Sequence, residues 1–206
     1  MNHLVTVLVA TRNLGKQAEV KELLSDLPLS LVFPDDLSSL TDFYPEEIGD
    51  TFAQVAINKA LAFASRSGLP TVADDSGLMI TALNGFPGVH SRRFVTDPQR
   101  NRIQTLLARL ANYSDRSAQL VTAISYIDTD SSISPQTFLG TITGQIAQEP
   151  TGEAGFDYDA IFIPTGRRRT FGQLGTKIKN QLSHRSQAIN QLKIFLRDLL
   201  RNKSHA

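Results

Sequence analysis

The chain opens on Leu4 to Val9, an almost unbroken β-branched and aliphatic run, the pattern of a strand buried on both faces. Ala10-Thr11-Arg12-Asn13-Leu14-Gly15-Lys16 follows, and then Val20, Leu23 and Leu24 recur on one side of a predicted helix. Leu29 to Phe33 reads as a second, shorter strand, and Pro34 to Pro45 as a polar, irregular segment. Phe52, Val55, Ala56, Ala60 and Phe63 predict a strong helix that Gly68-Leu69-Pro70 stops. Leu69 to Ala73 predicts a short buried strand, ended by the turn-like Asp74-Asp75-Ser76-Gly77. Beyond the apolar Leu78 to Leu83, Asn84 to Val89 marks a tight turn or loop. Arg100 to Ala111 has the stripe of an amphipathic helix, with Ile103, Leu106, Leu107 and Leu110 inward. Gln119 to Ile127 and Phe138 to Ile146 are strand-like, with Asp128 to Pro135 as a hairpin-like link. Ala160 to Pro164 predicts a short strand, and a final helix with Ala188, Ile189, Leu192, Phe195, Leu196 and Leu199 inward starts from Ser183 as N-cap. With no repeat and no charged linker, interleaved elements of both kinds predict one α/β domain over residues 1–206.

Composition adds exclusions. At 206 residues the chain is long enough for a substantial core. The 21 basic and 20 acidic residues give a net charge of +1, without the basic excess of a nucleic-acid binder. The absence of cysteine removes thiolate nucleophiles, disulfides and thiolate-bound zinc. No secretory leader and no apolar run of membrane length is visible, so a soluble, cytoplasmic protein without a membrane partner is expected.

Four segments carry candidate chemistry. Thr11 to Lys16 presents backbone N–H groups, a helix N-terminus and a lysine to an anion. It is not a Walker loop, since Ala10 stands where that motif needs glycine and Gln17 where it needs Ser or Thr. An ordinary strand-to-helix connection is the plainer reading of that stretch alone. Asp74 and Asp75 are adjacent acids, costly to bury unless paired or metal-bound. They would face opposite ways if the strand continued, one bracing the turn and one facing a site; simple turn chemistry is the alternative. Thr151 to Asp159 is a glycine-spaced loop in which Phe156 can stack on a base or anchor the core. His184 and Arg185 stand at the first turn of the last helix, where both can donate to a ligand carbonyl. Glu46-Glu47 can be ordinary helix-dipole chemistry, Lys59 a solvated lysine, and Arg167 to Arg169 a solvated hairpin tip.

In order along the chain stand ATRNLGK, EEIGDTF with INKA, ADDSGL, GFPGVHSRRF, GFDYDAIF and KNQLSHR. This ordered set resembles the inosine triphosphate pyrophosphatase family, and it extends from residue 10 to residue 185. The resemblance implies an α/β fold with a long central mixed sheet flanked by helices, two lobes around a nucleotide cleft, and a homodimer. It implies Mg²⁺-dependent hydrolysis of deaminated purine nucleoside triphosphates (ITP, dITP, XTP) to the monophosphate and pyrophosphate. By position it assigns Asp75 as catalytic acid and metal ligand, with Glu47 as the second metal carboxylate. Thr11, Arg12, Asn13, Leu14, Gly15, Lys16 and Ser76 match the triphosphate-binding groups. Phe156, Asp157, Tyr158, Asp159, Lys179, His184 and Arg185 match the nucleoside end. A 6-keto purine accepts a hydrogen bond where adenine donates one, which makes donors at His184 and Arg185 selective.

The chain departs from the family pattern at four positions. Arg12 stands where many members have glycine, Asp157 replaces the usual glycine of GFGYD, His90 a frequent tyrosine and Gln173 a common glutamate. The rivals are the related septum-formation-type nucleotide pyrophosphatase, against which Ser183-His184-Arg185 argues, and a catalytically silent nucleotide-binding module.

Overall fold

In the computed structural model, which describes residues 4–91, 93–95, 101–130 and 132–203, the chain forms two compact units. One comprises Met1–Asp75, Ala123–Leu139 and Ser186–Ala206, and the other Ser76–Thr122 and Gly140–Arg185. The strands are β1 (Val5–Val9), β2 (Leu29–Val32), β3 (Thr71–Ile80), β4 (Ser117–Ile127), β5 (Gln136–Ile146) and β6 (Phe162–Pro164). The sheet order is β2-β1-β3-β4-β5-β6, with β1 parallel to β2 and β3 and with β5 antiparallel to β6. The helices are α1 (Leu14–Leu23), α2 (Phe52–Ser67), α3 (Arg102–Arg109), α4 (Phe171–Leu174), α5 (Thr176–Leu182) and α6 (His184–Lys203). A mixed sheet with helices about it is the expected α/β architecture.

The first unit shows why β1 is β-branched and aliphatic, with Thr6 its one hydroxyl-bearing residue. Val7 and Val9 pack with Val20 of α1 and with Ile189 and Leu192 of α6. Leu8 and Ala10 leave from the opposite face and pack with Ala60 and Phe63 of α2 and with Leu40. From Val7 to Ala10, alternating side chains therefore enter two separate cores, and the one polar member of β1, Thr6, precedes that fully buried part. Thr51 caps α2 in a reciprocal capping box with Gln54, and Gly68 ends the helix in the left-handed conformation (φ 68°). In the second unit, Leu78 and Ile80 of β3 pack with Leu106, Leu110, Leu120, Phe162 and Phe171.

One sequence expectation fails. Asp74-Asp75-Ser76-Gly77 is not a turn: β3 runs straight through it to Ile80. Asp, Ser and Gly are poor strand formers, but β3 lies between β1 and β4 in the sheet, and that place in the sheet overrides a weak local preference. The apolar Leu78 to Leu83 accordingly divides into the end of β3 and a 3₁₀ turn over Thr81–Leu83. The helix expected from Arg100 begins at Arg102 and ends at Arg109. Arg100 itself, like Arg92 of the GFPGVHSRRF stretch, lies outside the described residues.

Gly144 of β5 faces Pro164 of β6, and a Cβ placed there would collide with the Ile163 carbonyl oxygen and the Phe162 ring. Both obstacles belong to packed structure, so the Gly144→Ala substitution should destabilise by about 1–3 kcal/mol. Thermal unfolding should show a Tm lower by several degrees, whereas an unchanged Tm would mean that β6 moves aside freely.

Candidate active site

The first unit gathers an anion-binding turn and two adjacent acids. β1 delivers the chain to Thr11, and Asn13 caps α1 by accepting a hydrogen bond from the Lys16 backbone N–H (3.2 Å). The turn is braced internally: Gln17 donates to the Thr11 carbonyl (3.0 Å), and the Asn13 N–H donates to the Thr11 hydroxyl (3.2 Å). Lys16 thus stands in the first helical turn, beside backbone donors that point out of the helix. Its ammonium reaches Asp74 of β3, donating to Oδ2 at 2.6 Å, and both partners are buried.

Asp75 is the next residue on β3, so its side chain leaves the strand on the side opposite to Asp74. It is buried, and its Oδ2 has no hydrogen-bond partner among the described residues. Burial pushes its pKa up to about 7; the Lys16 charge opposes the rise, the Asp74 and Glu47 charges add to it, and Lys59 opposes it. Glu47, half-buried on the irregular segment before α2, is therefore within electrostatic reach of Asp75. Lys59 is not the solvated lysine that its sequence context suggests. It projects from α2, and its Nζ donates to the Asp74 backbone carbonyl at 3.3 Å. Sequence reasoning left it out of the site, although it lies within the INKA stretch.

These residues fit a magnesium ion. No group of three or more metal-binding side chains occurs among the described residues. Mg²⁺ needs none, because it typically takes one or two carboxylates, keeps waters and shares substrate phosphates. The buried Asp75 Oδ2, without a hydrogen-bond partner among the described residues, and the nearby charge of Glu47 would supply that pair of carboxylates.

Arg12 is engaged elsewhere. Its Nε donates to Asp35 (2.8 Å), Nη1 to the Phe43 carbonyl (3.1 Å) and Nη2 to the Leu40 carbonyl (2.5 Å). Its guanidinium also lies 4.3 Å from the centre of the Tyr44 ring. The structure thus binds Arg12 to the Pro34–Tyr44 segment rather than aiming it at the helix N-terminus. Leu14 is 77% exposed, which leaves its backbone rather than its side chain as the available contact.

The second unit gathers the residues expected at the nucleoside end. Asp159 accepts from the Phe156 backbone N–H (2.7 Å) and from Lys179 Nζ (2.5 Å), and both charged groups are buried. Lys179 also lies 4.0 Å from the centre of the Phe156 ring, and the Arg185 guanidinium lies 5.3 Å from it. Arg185 donates from Nη2 to the Ser76 hydroxyl (3.2 Å), which is also 2.8 Å from the hydroxyl of Thr122. His184 begins α6 and is buried beside Arg185 in sequence, following Ser183 in an extended conformation (φ −68°, ψ 158°). Tyr158 sits in the hydrophobic core, and its hydroxyl donates to the Ser91 carbonyl (2.6 Å). Burial raises its pKa, so it holds its proton and braces the loop.

The departures from the family pattern have local explanations. Asp157 adopts φ 53°, the left-handed conformation that Asp tolerates better than most residues, so the loop keeps a backbone that glycine would favour. Arg102 donates to its carboxylate at 3.4 Å. Gln173 accepts from the Thr170 N–H (3.1 Å) in a capping box, a place that Gln and Glu fill alike. His90 is exposed in a 3₁₀ turn over Gly88–His90.

Residues 7–195 match the Ham1 family. The chain belongs to that family. It is 41% identical to a dITP/XTP pyrophosphatase of Coxiella burnetii over 199 residues, covering 94% of this chain and 97% of the relative. A dITP/XTP pyrophosphatase of Haemophilus influenzae is 38% identical over 192 residues, covering 91% of this chain and 96% of the relative. Among solved structures, a HAM1 protein from Coxiella burnetii superposes with TM-score 0.84 at 39% identity, over 95% of this chain and 100% of that one. The Staphylococcus aureus Ham1 protein does so with TM-score 0.82 at 37% identity, over 94% and 98% of the two chains. The resemblance read from the motifs is thereby borne out. No helix among the described residues is long and apolar enough to cross a membrane.

The raised pKa of Asp75 has a consequence for the empty protein. A folded-state pKa of about 7, against 3.8 unfolded, means that the folded chain binds the extra proton between those values. Stability from this group is therefore fully present below about pH 4 and is lost as pH rises through 7. The Asp75→Asn substitution removes the buried charge, so it should raise the Tm of metal-free protein at pH 8 and bring little gain near pH 4. Scanning calorimetry at the two values checks this; a loss of stability at pH 8 would contradict it.

Proposed function

We propose that this protein hydrolyses deaminated purine nucleoside triphosphates, of the dITP and XTP kind that name its relatives, to the nucleoside monophosphate and pyrophosphate. The observation that carries the reading is the buried Asp75, whose Oδ2 has no hydrogen-bond partner among the described residues, next to the Lys16–Asp74 ion pair and in the field of Glu47 and Lys59. Uncompensated acid of this kind destabilises a protein unless a ligand uses it.

In this reading the N-terminus of α1 and Lys16 bind the triphosphate, lowering its charge and orienting it. Asp75 and Glu47 hold Mg²⁺, which supplies a Lewis acid for the phosphates when bound. Asp75 orients the attacking water and accepts its proton. Water attacks at phosphorus, the bridging P–O bond between the α- and β-phosphates breaks, and its electron pair leaves with pyrophosphate. No protein nucleophile is required, which agrees with a chain lacking cysteine. Lys59, tied to the carbonyl of Asp74, holds a positive charge beside the reacting end.

Phe156 receives the purine ring, ordered by Asp159 at its backbone and by Lys179 beside its face. His184 and Arg185 donate to the 6-keto oxygen, so adenine, with an amino donor there, leaves buried donors unpaired. A homodimer acting on the cytoplasmic nucleotide pool belongs to the same reading.

A turnover panel of ITP, dITP, XTP and the common triphosphates with Mg²⁺ tests the function. The account predicts pyrophosphate release from the 6-keto deaminated purines and little from ATP. Asp75→Asn should lower kcat by roughly 10²–10⁴-fold while the fold is kept. A variant with near-normal turnover would remove Asp75 from the mechanism. His184→Ala should narrow the ITP-over-ATP preference by roughly 10- to 100-fold, read as a ratio of kcat/KM values. An unchanged ratio would mean that the base is read by other groups.

A further inference from the structure

Glu47 lies on a stretch, Tyr44 to Gly49, that has neither helix nor strand to hold it. A metal carboxylate on such a stretch needs its backbone fixed from outside, since a displacement of an ångström is enough to impair catalysis. Two side chains grip this stretch. On its N-terminal side, Arg12 donates to the carbonyls of Leu40 (2.5 Å) and Phe43 (3.1 Å), pairs with Asp35 (2.8 Å) and stacks on Tyr44 (4.3 Å). On its C-terminal side, Asn58 of α2 donates to the carbonyl of Ile48 (2.9 Å). Glu47 sits between the two grips.

Arg12 does more than hold a loop. Its own backbone lies inside the turn between Thr11 and Asn13, which cap and brace the N-terminus of α1. One side chain therefore spans from the phosphate-suited turn to the segment carrying Glu47. The geometry needs a planar fork: three nitrogens address three acceptors while the flat face covers a ring, and lysine has neither feature.

We propose that Arg12 is a positioning residue that ties the metal carboxylate Glu47 to the phosphate-binding turn, with Asn58 as the second clamp. The role assigned to Glu47 rests on the pyrophosphatase reading; the clamp itself does not. Removing an outer partner of a metal ligand typically costs 10- to 100-fold in metal affinity or activity. Arg12→Ala and Arg12→Lys should both raise the Mg²⁺ concentration for half-maximal ITP hydrolysis by about 10- to 100-fold. The ITP-over-ATP ratio should stay unchanged, because the base end is untouched.

The second readout needs neither metal nor substrate. Hydrogen exchange of the empty protein should quicken in residues 40–49 of both variants, with β1 and α1 protected as before. Faster exchange there together with the raised Mg²⁺ requirement supports the clamp. Unchanged exchange in residues 40–49, or an unchanged Mg²⁺ requirement in an active variant, overturns it. A wild-type protein inert towards ITP would instead remove the pyrophosphatase reading, and exchange alone would then decide whether Arg12 holds the segment.

Discussion

Burying a carboxylate without giving it a partner works against folding, and the arrangement around Asp75 is organised by that cost. An interior strand carries the acid into low-dielectric surroundings, where its charged form is disfavoured. The nearest compensation is incomplete. Lys16 makes its short contact with Asp74, and Lys59 is held by the Asp74 carbonyl, so both cations act on Asp75 through space. Asp75 is left poised near neutrality, able to accept a proton or a metal ion at little further expense. A site that destabilises the empty protein and is relieved by its ligand is a familiar stability–function compromise.

The second unit handles its charges differently. Asp159 and Lys179 are buried as a pair, and the same carboxylate also accepts the Phe156 N–H. Here the charges are satisfied within the protein, and their effect is order: the Phe156 ring is fixed at its backbone and flanked by Lys179 and Arg185. Preformed surroundings for an aromatic platform reduce what a base would have to organise on binding. The two ends thus differ, an incompletely compensated acid where chemistry is assigned and a paired Asp159–Lys179 support where recognition is assigned.

Much of this was legible in the sequence, for reasons that differ by element. β1 was readable because its alternate residues enter two cores, and its one polar residue, Thr6, is itself β-branched and so does not blur the run. α2 was readable from its apolar spacing and its αL glycine stop. β3 misled because Asp, Ser and Gly are turn formers locally, whereas its place in the sheet is a long-range property. Lys59 and Arg12 were misjudged for the same reason. A lysine on a helix looks solvated until the carbonyl it reaches is known, and an arginine beside a phosphate-type turn looks like an anion ligand until its acceptors at Asp35, Leu40 and Phe43 appear. Motif order identified the family, while the division of labour among charges required coordinates.

The central claim is that Asp75 is a buried, incompletely compensated acid held ready for a proton or a metal. Titration of its side-chain carboxyl ¹³C resonance in the metal-free protein measures this directly. The account predicts a midpoint near 7, moving down when Mg²⁺ is added. A midpoint at the ordinary aspartate value near 3.8, insensitive to Mg²⁺, would contradict it.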